Sequence, residues 1–306
     1  MNRGIYLVAN LKSQAMCENL IYSIRESGCT LPIRLIHFGG KAIQSPYVLD
    51  QVELLYYETF PDEVKQFIHN LSSVLSECPT GFLYRYIAWF LDWDEFIYSD
   101  NDVVALVNWE VLFGYLDGYD LVHADEEYRT HGVFNYYKPE LIQQHFGESA
   151  LDSAITAGHI VVRKSQEMIA DINNAVKWFE QYPDIPQRHD QSLMHIASLL
   201  GKWKVLNLCK PPHNWLSSWA GDHKNALALI LSIQGKSPNT RISHLHFSGG
   251  EPSGIKPIHD LLYSCFTAQR RLYLIVSKSL KASSGYSFLA GKKSRALKKL
   301  KKYLRS

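Results

Sequence analysis

Short apolar runs alternate with amphipathic stretches along the N-terminal third of the chain. Residues 4–9 and 33–38 are almost continuously apolar, which is typical of the central strands of a parallel sheet. Residues 13–27 between them carry apolar side chains at helical spacing, and Gly28 is suited to end a helix there. A strand, a helix and a second strand in this order predict a βαβ unit, and therefore a parallel sheet with a right-handed crossover.

The same alternation continues through the middle of the chain. It predicts further strands at residues 52–57, 95–99, 119–124 and 160–162, and helices at residues 61–76, 80–91, 165–180 and 190–199. Beyond residue 210 the pattern is irregular and is interrupted by prolines. The chain is therefore expected to fold as a large α/β domain with a helical or irregular C-terminal part.

Composition narrows the class of protein. A chain of 306 residues, 46% of them hydrophobic, can bury a sizeable core and is not expected to be disordered. Its five cysteines are scattered and form no C-x-x-C pair, which favours a reducing compartment and argues against a disulfide framework or a structural zinc site. Neither a signal peptide nor an apolar run long enough to span a bilayer is recognised, so a cytoplasmic location is expected.

Two carboxylates end one of the predicted strands. Asp100 and Asp102 follow an apolar run, and on an extended backbone their spacing would point both side chains to one side. Open parallel sheets bind ligands beyond the carboxyl ends of their strands, and Mg²⁺ and Mn²⁺ take oxygen ligands of this kind. The pair predicts a metal–diphosphate site, and an exposed loop with two aspartates is the alternative. Asp92 and Asp94 repeat the spacing, but they precede the strand.

His246 lies in a second segment that is suited to a metal or a phosphate. A neutral imidazole can complete a coordination sphere, and the glycines that follow, Gly249 and Gly250, let the backbone approach a phosphate closely. The alternative is an ordinary core or surface histidine, since the chain holds 13 of them.

In their order along residues 4–256, these motifs resemble those of the GT-A-fold nucleotide-sugar glycosyltransferases, most closely glycosyltransferase family 8 and the bacterial lipopolysaccharide galactosyltransferases. The resemblance implies a Rossmann-like, mixed and mostly parallel sheet flanked by helices. It also implies a catalytic domain over residues 1–260, with a nucleotide-sugar half at 1–125 and an acceptor half at 126–260. Residues 261–306 would form a helical extension with a basic amphipathic tail.

The resemblance also assigns roles to individual residues. The donor nucleotide-sugar would contact Ala9, Asn10, Lys12, Arg85, Asp100, Asn101, Asp102, Gly249 and Lys256, the metal ion (Mn²⁺ or Mg²⁺) would bind Asp100, Asp102 and His246, and the transferred sugar would face the catalytic pair Asp190 and Gln191. The chain departs from the family pattern twice. Thr156 replaces the Asn of an Asn-x-Gly strand motif, and Pro252 occupies a lysine position that Lys256 would take over.

Several of these residues have simpler roles open to them. Arg85 could be an ordinary surface cation of a helix, and Asp190 could be the N-cap of the helix that follows it. The acidic run Asp125, Glu126 and Glu127 fits either a solvated loop or a wall of the donor-sugar site. One of these three carboxylates could instead be the general base of an inverting enzyme.

The C-terminal residues 292–306 carry eight basic side chains and no acidic ones. Leu297, Leu300 and Leu304 form a narrow apolar stripe among them, a pattern that favours a helix lying on an anionic membrane. Nucleic-acid binding is not expected because stacking aromatics are few, and a solubilising tail is the plainer alternative. Together with the resemblance, the tail predicts a peripheral protein on the inner face of the membrane.

The resemblance implies transfer of a hexose from a UDP-sugar to a glycan or glycolipid, with retention of anomeric configuration, in surface polysaccharide or lipopolysaccharide assembly. The residues leave three alternatives open. These are an inverting GT-A transferase, a sugar nucleotidyltransferase, and a membrane- or polyanion-binding protein whose site has decayed.

Overall fold

The computed structural model describes residues 1–125, 135–223 and 241–248. The strands within these ranges are β1 Arg3–Ala9, β2 Ile33–His37, β3 Glu53–Tyr56, β4 Glu95–Ser99, β5 Val103–Ala105, β6 Leu121–His123, β7 His159–Arg163, β8 Val205–Asn207 and β9 His244–His246. Seven of them form one sheet in the order β3–β2–β1–β4–β7–β6–β8, while β5 and β9 pair separately. The pairs β2–β3, β1–β2, β1–β4 and β6–β8 are parallel, and β7 runs antiparallel to both of its neighbours. The predicted mixed, mostly parallel sheet is confirmed.

Helices cover both faces of this sheet. The α-helices within the described ranges are α1 Gln14–Glu26, α2 Pro46–Leu49, α3 Asp62–Val74, α4 Thr80–Leu83, α5 Pro139–Phe146, α6 Glu167–Gln181 and α7 Asp190–Leu200. The 3₁₀ segments are Leu11–Ser13, Tyr57–Thr59, Tyr84–Phe90, Trp109–Leu116, Glu148–Ser153 and Ala220–Asp222.

The predicted βαβ opening is confirmed in β1, α1 and β2. Gly28 ends the helical turn with a positive φ of 87°, a conformation that glycine adopts without strain. Alternate residues of each central strand face opposite sides, so Tyr6 and Phe96 join one buried core while Ile5 and Ile97 join the other. The first core lies under α3, α6 and α7, and the second lies under α1.

The prediction of a single α-helix at residues 80–91 is wrong, because most of this segment is a 3₁₀ helix. The chain makes one α-helical turn in α4 and continues as the 3₁₀ segment Tyr84–Phe90. Six consecutive residues of that segment, from Tyr84 to Trp89, are buried, so no solvent-facing stripe exists for an amphipathic helix. One of the six is Arg85, whose burial shapes the site described below.

Among the described residues, no helix combines the length and apolar character needed to cross a membrane. The helical extension and basic tail predicted for residues 261–306 lie outside the described residues. The predicted division at residue 260 stays a prediction.

A buried histidine joins α7 to the loops beneath it. Nε2 of His195 lies 3.0 Å from the Ala150 carbonyl, which can only accept, so this nitrogen carries the proton. Nδ1 therefore accepts from the Tyr136 hydroxyl at 2.6 Å. Burial lowers the pKa of His195 to about 4, so the ring is neutral in the folded protein near neutral pH.

His195 is expected to make stability fall as the pH is lowered from about 6.5 to 4. In that window the unfolded chain binds the proton first, so the free energy of unfolding drops by up to about 1.4 kcal/mol per pH unit for this ring. Urea unfolding at several pH values should show a shallower pH dependence for His195→Gln than for the wild type. The control His69→Gln alters an exposed ring and should keep the wild-type slope. Parallel curves for wild type and His195→Gln would contradict this account.

Candidate metal centre and its surroundings

The acidic pair lies in a tight turn at the carboxyl end of β4. The expectation of an extended backbone through the pair is wrong, because β4 ends at Ser99 and β5 begins at Val103 after a turn at residues 101–102. The turn is fixed at both ends. The Asn101 side-chain amide donates to the Val8 carbonyl at 2.7 Å, and the Asp100 backbone N–H donates to the Gly158 carbonyl at 2.7 Å.

A two-stranded sheet brings His246 to this turn. β5 and β9 are antiparallel with Val103 opposite His246, and the Phe247 N–H donates to the Asp102 carbonyl at 2.9 Å. One ligand atom from each of Asp100, Asp102 and His246 can be chosen so that all three lie within 4.8 Å of one another. The three residues that the sequence predicts as metal ligands are therefore brought together by the fold.

The cluster carries a surplus of negative charge. Burial lowers the pKa of His246, but the carboxylates of Asp102, Asp125 and Asp100 outweigh burial and hold that pKa well above its usual range. Burial alone would raise the pKa of Asp102, but His246 outweighs it and leaves the pKa lowered. The pKa of Asp100 is raised, first by burial and then by Asp102, against the opposing effect of Arg85. Such a cluster favours a bound cation.

Arg85 is a buried cation that links two parts of the site. The alternative of a surface arginine is wrong, because its side chain is only 2% exposed. Nη2 contacts Asp100 at 3.1 Å, and Nη1 lies 2.8 Å from Asp190. Nη1 also donates to the Ala157 carbonyl at 2.7 Å, and Nε donates to the Phe82 carbonyl at 3.0 Å.

Asp190 and Gln191 begin α7 next to this arginine. The N-cap is His189 and not Asp190, whose carboxylate turns inward to Arg85 and is 1% exposed. Burial would raise the pKa of Asp190, but Arg85 and His189 lower it to about 2. Gln191 is half-buried, and its side-chain carbonyl accepts from the Ala157 N–H at 3.1 Å.

Two residues that the sequence did not single out for this purpose hold His246 in place. A Cβ on Gly158 would lie 2.1 Å from Cε1 of His246, so the imidazole packs directly on that glycine. Asp125, 4% exposed, has a carboxylate oxygen 4.0 Å from Nδ1, while Nε2 faces Asp102 at 3.5 Å. Carboxylates placed in this way commonly orient a metal-binding histidine. The motif around Gly158 and the acidic run that begins at Asp125 are both visible in the sequence. The sequence did not predict that both segments lie next to His246.

The loop predicted to bind the nucleoside lies at the same edge of the sheet. Ala9 ends β1, and the Asn10 side chain caps the following 3₁₀ turn by accepting from the Lys12 N–H at 3.0 Å. The other predicted residues, Gly249, Lys256, Glu126 and Glu127, lie outside the described residues.

Several solved structures are similar to this chain at low sequence identity. The apo structure of WbbM, a bifunctional glycosyltransferase, covers 87% of this chain at 13% identity with a TM-score of 0.50, and this chain spans 50% of that one. The match to apo mouse xyloside xylosyltransferase 1 covers 82% of this chain and 99% of that protein, at 11% identity with a TM-score of 0.49. The match to the galactosyltransferase LgtC, in complex with donor and acceptor sugar analogs, covers 85% of this chain and 95% of LgtC. Its sequence identity is 13% and its TM-score is 0.49. No family model and no curated protein sequence matches the chain. The sheet order and the likeness to WbbM identify the GT-A fold that the sequence predicted.

Replacing Gly158 by Ala is expected to weaken metal binding. The new Cβ would overlap the imidazole of His246 and displace it, and the loss of a residue that supports a metal ligand typically costs about 10- to 100-fold in metal affinity. Calorimetric titration with Mn²⁺ measures the effect. The control Gly114→Ala adds a Cβ that meets no atom within 4 Å and should bind like the wild type. Equal affinity of Gly158→Ala and the wild type would remove His246 from the ligand set.

Proposed function

We propose that this protein is a metal-dependent glycosyltransferase that moves a hexose from a UDP-sugar to a hydroxyl group of a glycan or glycolipid. The observation that carries the proposal is the meeting of Asp100, Asp102 and His246 at the carboxyl end of β4 in a GT-A fold. Open α/β sheets bind their ligands at this edge. The likeness of fold to WbbM, a bifunctional glycosyltransferase, supports the same activity, and this chain spans half of that protein's length.

The donor set fits a cation such as Mn²⁺ or Mg²⁺. The Asp100 and Asp102 side chains are 26% and 29% exposed, so their oxygens remain accessible from solvent, while His246 is 7% exposed. An imidazole among oxygen ligands favours Mn²⁺, since Mg²⁺ prefers oxygen alone. When bound, the cation would supply positive charge that stabilises a departing diphosphate.

The residues around the metal centre would position the sugar and stabilise the charge that develops on it. Gln191 and Asp190 would border the transferred sugar. Because its pKa is about 2, Asp190 stays anionic and would stabilise positive charge developing at the anomeric carbon without exchanging a proton. Arg85 would hold Asp190 and Asp100 at a fixed separation, which orients the sugar side relative to the diphosphate side.

The nucleotide would lie over the loop after β1. Ala9, Asn10 and Lys12 are proposed to contact the nucleoside. Asn101 is proposed to contact the nucleotide as well. It lies next to β1, where its side-chain amide donates to the Val8 carbonyl at 2.7 Å. Gly249 and Lys256 keep their proposed contacts to a phosphate.

The proposal also includes retention of the anomeric configuration, association with the membrane, and a role in surface polysaccharide or lipopolysaccharide assembly. In a retaining transfer the departing phosphate can take the acceptor proton, so no strong base is required. Residues 292–306 would hold the enzyme on the anionic inner face of the membrane through their basic side chains. There it would act on lipid-linked acceptors in surface polysaccharide or lipopolysaccharide assembly.

Donor binding is expected to depend on Mn²⁺ and on Asp102. In a panel of UDP- and GDP-sugars, the correct donor with Mn²⁺ should raise the thermal unfolding midpoint, since a ligand at 100 times its dissociation constant adds about 2.7 kcal/mol. Asp102→Asn should remove the Mn²⁺-dependent part of the shift and the transfer activity. The exposed Asp117→Asn should keep both. Full transfer activity in Asp102→Asn would contradict metal binding by Asp102. A wild type that shows neither a Mn²⁺-dependent shift nor transfer would leave a membrane- or polyanion-binding role as the better explanation.

A second candidate, inverting transfer, is favoured by the position of Asp125. Its carboxylate lies at the centre and could serve as a general base. However, it is 4% exposed and faces Nδ1 of His246, an arrangement that suits orientation of the ring better than contact with an acceptor. We therefore propose that Asp125 orients His246.

Asp125→Asn separates these two roles. If Asp125 orients His246, the Mn²⁺ concentration for half-maximal activity should rise about 10- to 100-fold while the rate at saturating Mn²⁺ survives. NMR of the product should show the donor's anomeric configuration. A rate that stays low at saturating Mn²⁺, together with an inverted product, would establish Asp125 as the base.

A further inference from the structure

A second cluster of potential metal-binding side chains surrounds Asp190. Cys78, His189 and Asp190 each offer a ligand atom, and these atoms lie within 4.8 Å of one another. The sulfur of Cys78 is 3.7 Å from Oδ1 of Asp190, and Nδ1 of His189 is 2.5 Å from the same oxygen. None of the roles proposed above uses Cys78 or His189.

Two chain segments that are distant in sequence create this cluster. Cys78 and Asp190 are 112 positions apart, which is why cysteine spacing gave no sign of a metal site. Cys78 lies just before α4, and His189 is the N-cap of α7. The ring of Phe82, on α4, contacts the ring of His189 edge to face at 6.1 Å, which brings the two helix starts together.

The separations fit a tetrahedral ion with little movement. Bonds of about 2.3 Å to sulfur and about 2.0–2.1 Å to nitrogen and oxygen place tetrahedral ligands about 3.4–3.7 Å apart. The Cys78–Asp190 separation of 3.7 Å already meets this value. His189 must withdraw from Asp190 by about 1 Å, and its side chain is 33% exposed and has room to do so. The same exposure gives an ion access from solvent and leaves a position for water.

We infer that Cys78, His189 and Asp190 form a binding site for Zn²⁺. Thiolate and imidazole ligands select zinc over magnesium, manganese and calcium, whereas the centre at Asp100, Asp102 and His246 contains no sulfur. On binding, the Cys78 thiol releases its proton to solvent and its sulfur bonds to zinc. His189 also gives up the Nδ1 proton that it donates to Asp190, so the ring binds zinc through Nδ1 and carries its proton on Nε2.

A consequence for catalysis follows, and it rests on the proposed function. Asp190 is held by Arg85, which also holds Asp100. Zinc bound to Oδ1 of Asp190 would withdraw negative charge from the carboxylate whose Oδ2 faces Arg85, and it would therefore slow sugar transfer. Excess Mn²⁺ would not relieve the inhibition, because it does not compete for a thiolate site.

X-ray absorption of the full chain with one equivalent of Zn²⁺, in excess Mn²⁺, tests the site. The expected spectrum shows one sulfur at about 2.3 Å and lighter ligands at about 2.0 Å. Cys78→Ser should lose the sulfur signal, whereas Cys29→Ser, which alters another buried thiol, and Asp102→Asn should keep it. A wild-type spectrum without sulfur, or a sulfur signal that survives in Cys78→Ser, would overturn the inference.

His189→Ala provides a second variant in case Cys78→Ser does not fold, since it changes a partly exposed side chain. It should weaken zinc binding in calorimetry, and unchanged affinity would also overturn the inference. Transfer assays keep the two proposals separate. A sulfur signal in a protein that transfers no sugar would overturn the proposed function alone. Mn²⁺-dependent transfer without a sulfur signal would overturn the zinc site alone.

Discussion

A buried guanidinium between two carboxylates is the constraint on which the site depends. Arg85 is 2% exposed, and its charge is balanced by Asp100 on one side and Asp190 on the other. An uncompensated buried charge is strongly destabilising, so neither carboxylate can turn away without a cost to the fold. The carboxyl end of β4 and the start of α7 are therefore held at a fixed separation.

The backbone at residues 157–158 extends this constraint to the rest of the site. The Ala157 carbonyl accepts from Arg85, and its N–H donates to Gln191. The next carbonyl, of Gly158, accepts from the Asp100 N–H, and the bare Cα of this glycine supports His246. Two consecutive residues before β7 thus contact the turn that carries Asp100 and Asp102, the side chain of Gln191, and the imidazole of His246. A small backbone shift here would change all of these contacts together. Residue 158 is a glycine because a Cβ there would overlap the imidazole of His246.

Local patterns predicted much of this structure, whereas contacts between distant segments were not predictable. β1, α1, β2 and β4 follow from apolar runs and helical spacing, and the Asp100–Asp102 pair was visible because it ends such a run. β5 and β9 have three residues each, which is too short for periodicity to reveal. The burial of Arg85 was missed because an arginine in a helical segment normally lies on the surface. The identity of its partners is set by tertiary packing, which no local pattern records.

His246 lies on β9, a short strand that depends on its neighbours for stability. A two-stranded ribbon is marginal alone in water, so β9 must depend on what surrounds it. The His246 N–H donates to the Ser218 carbonyl at 2.8 Å, the Phe247 N–H donates to Asp102, and the imidazole rests on Gly158. These contacts come from three separate parts of the chain. The carboxylates lie on a turn anchored to the central sheet, whereas the imidazole reaches them only when the later segment has docked. The three side chains therefore come together only when the segment that carries His246 has packed against the turn. Any ion bound by all three residues would stabilise this packed arrangement by mass action.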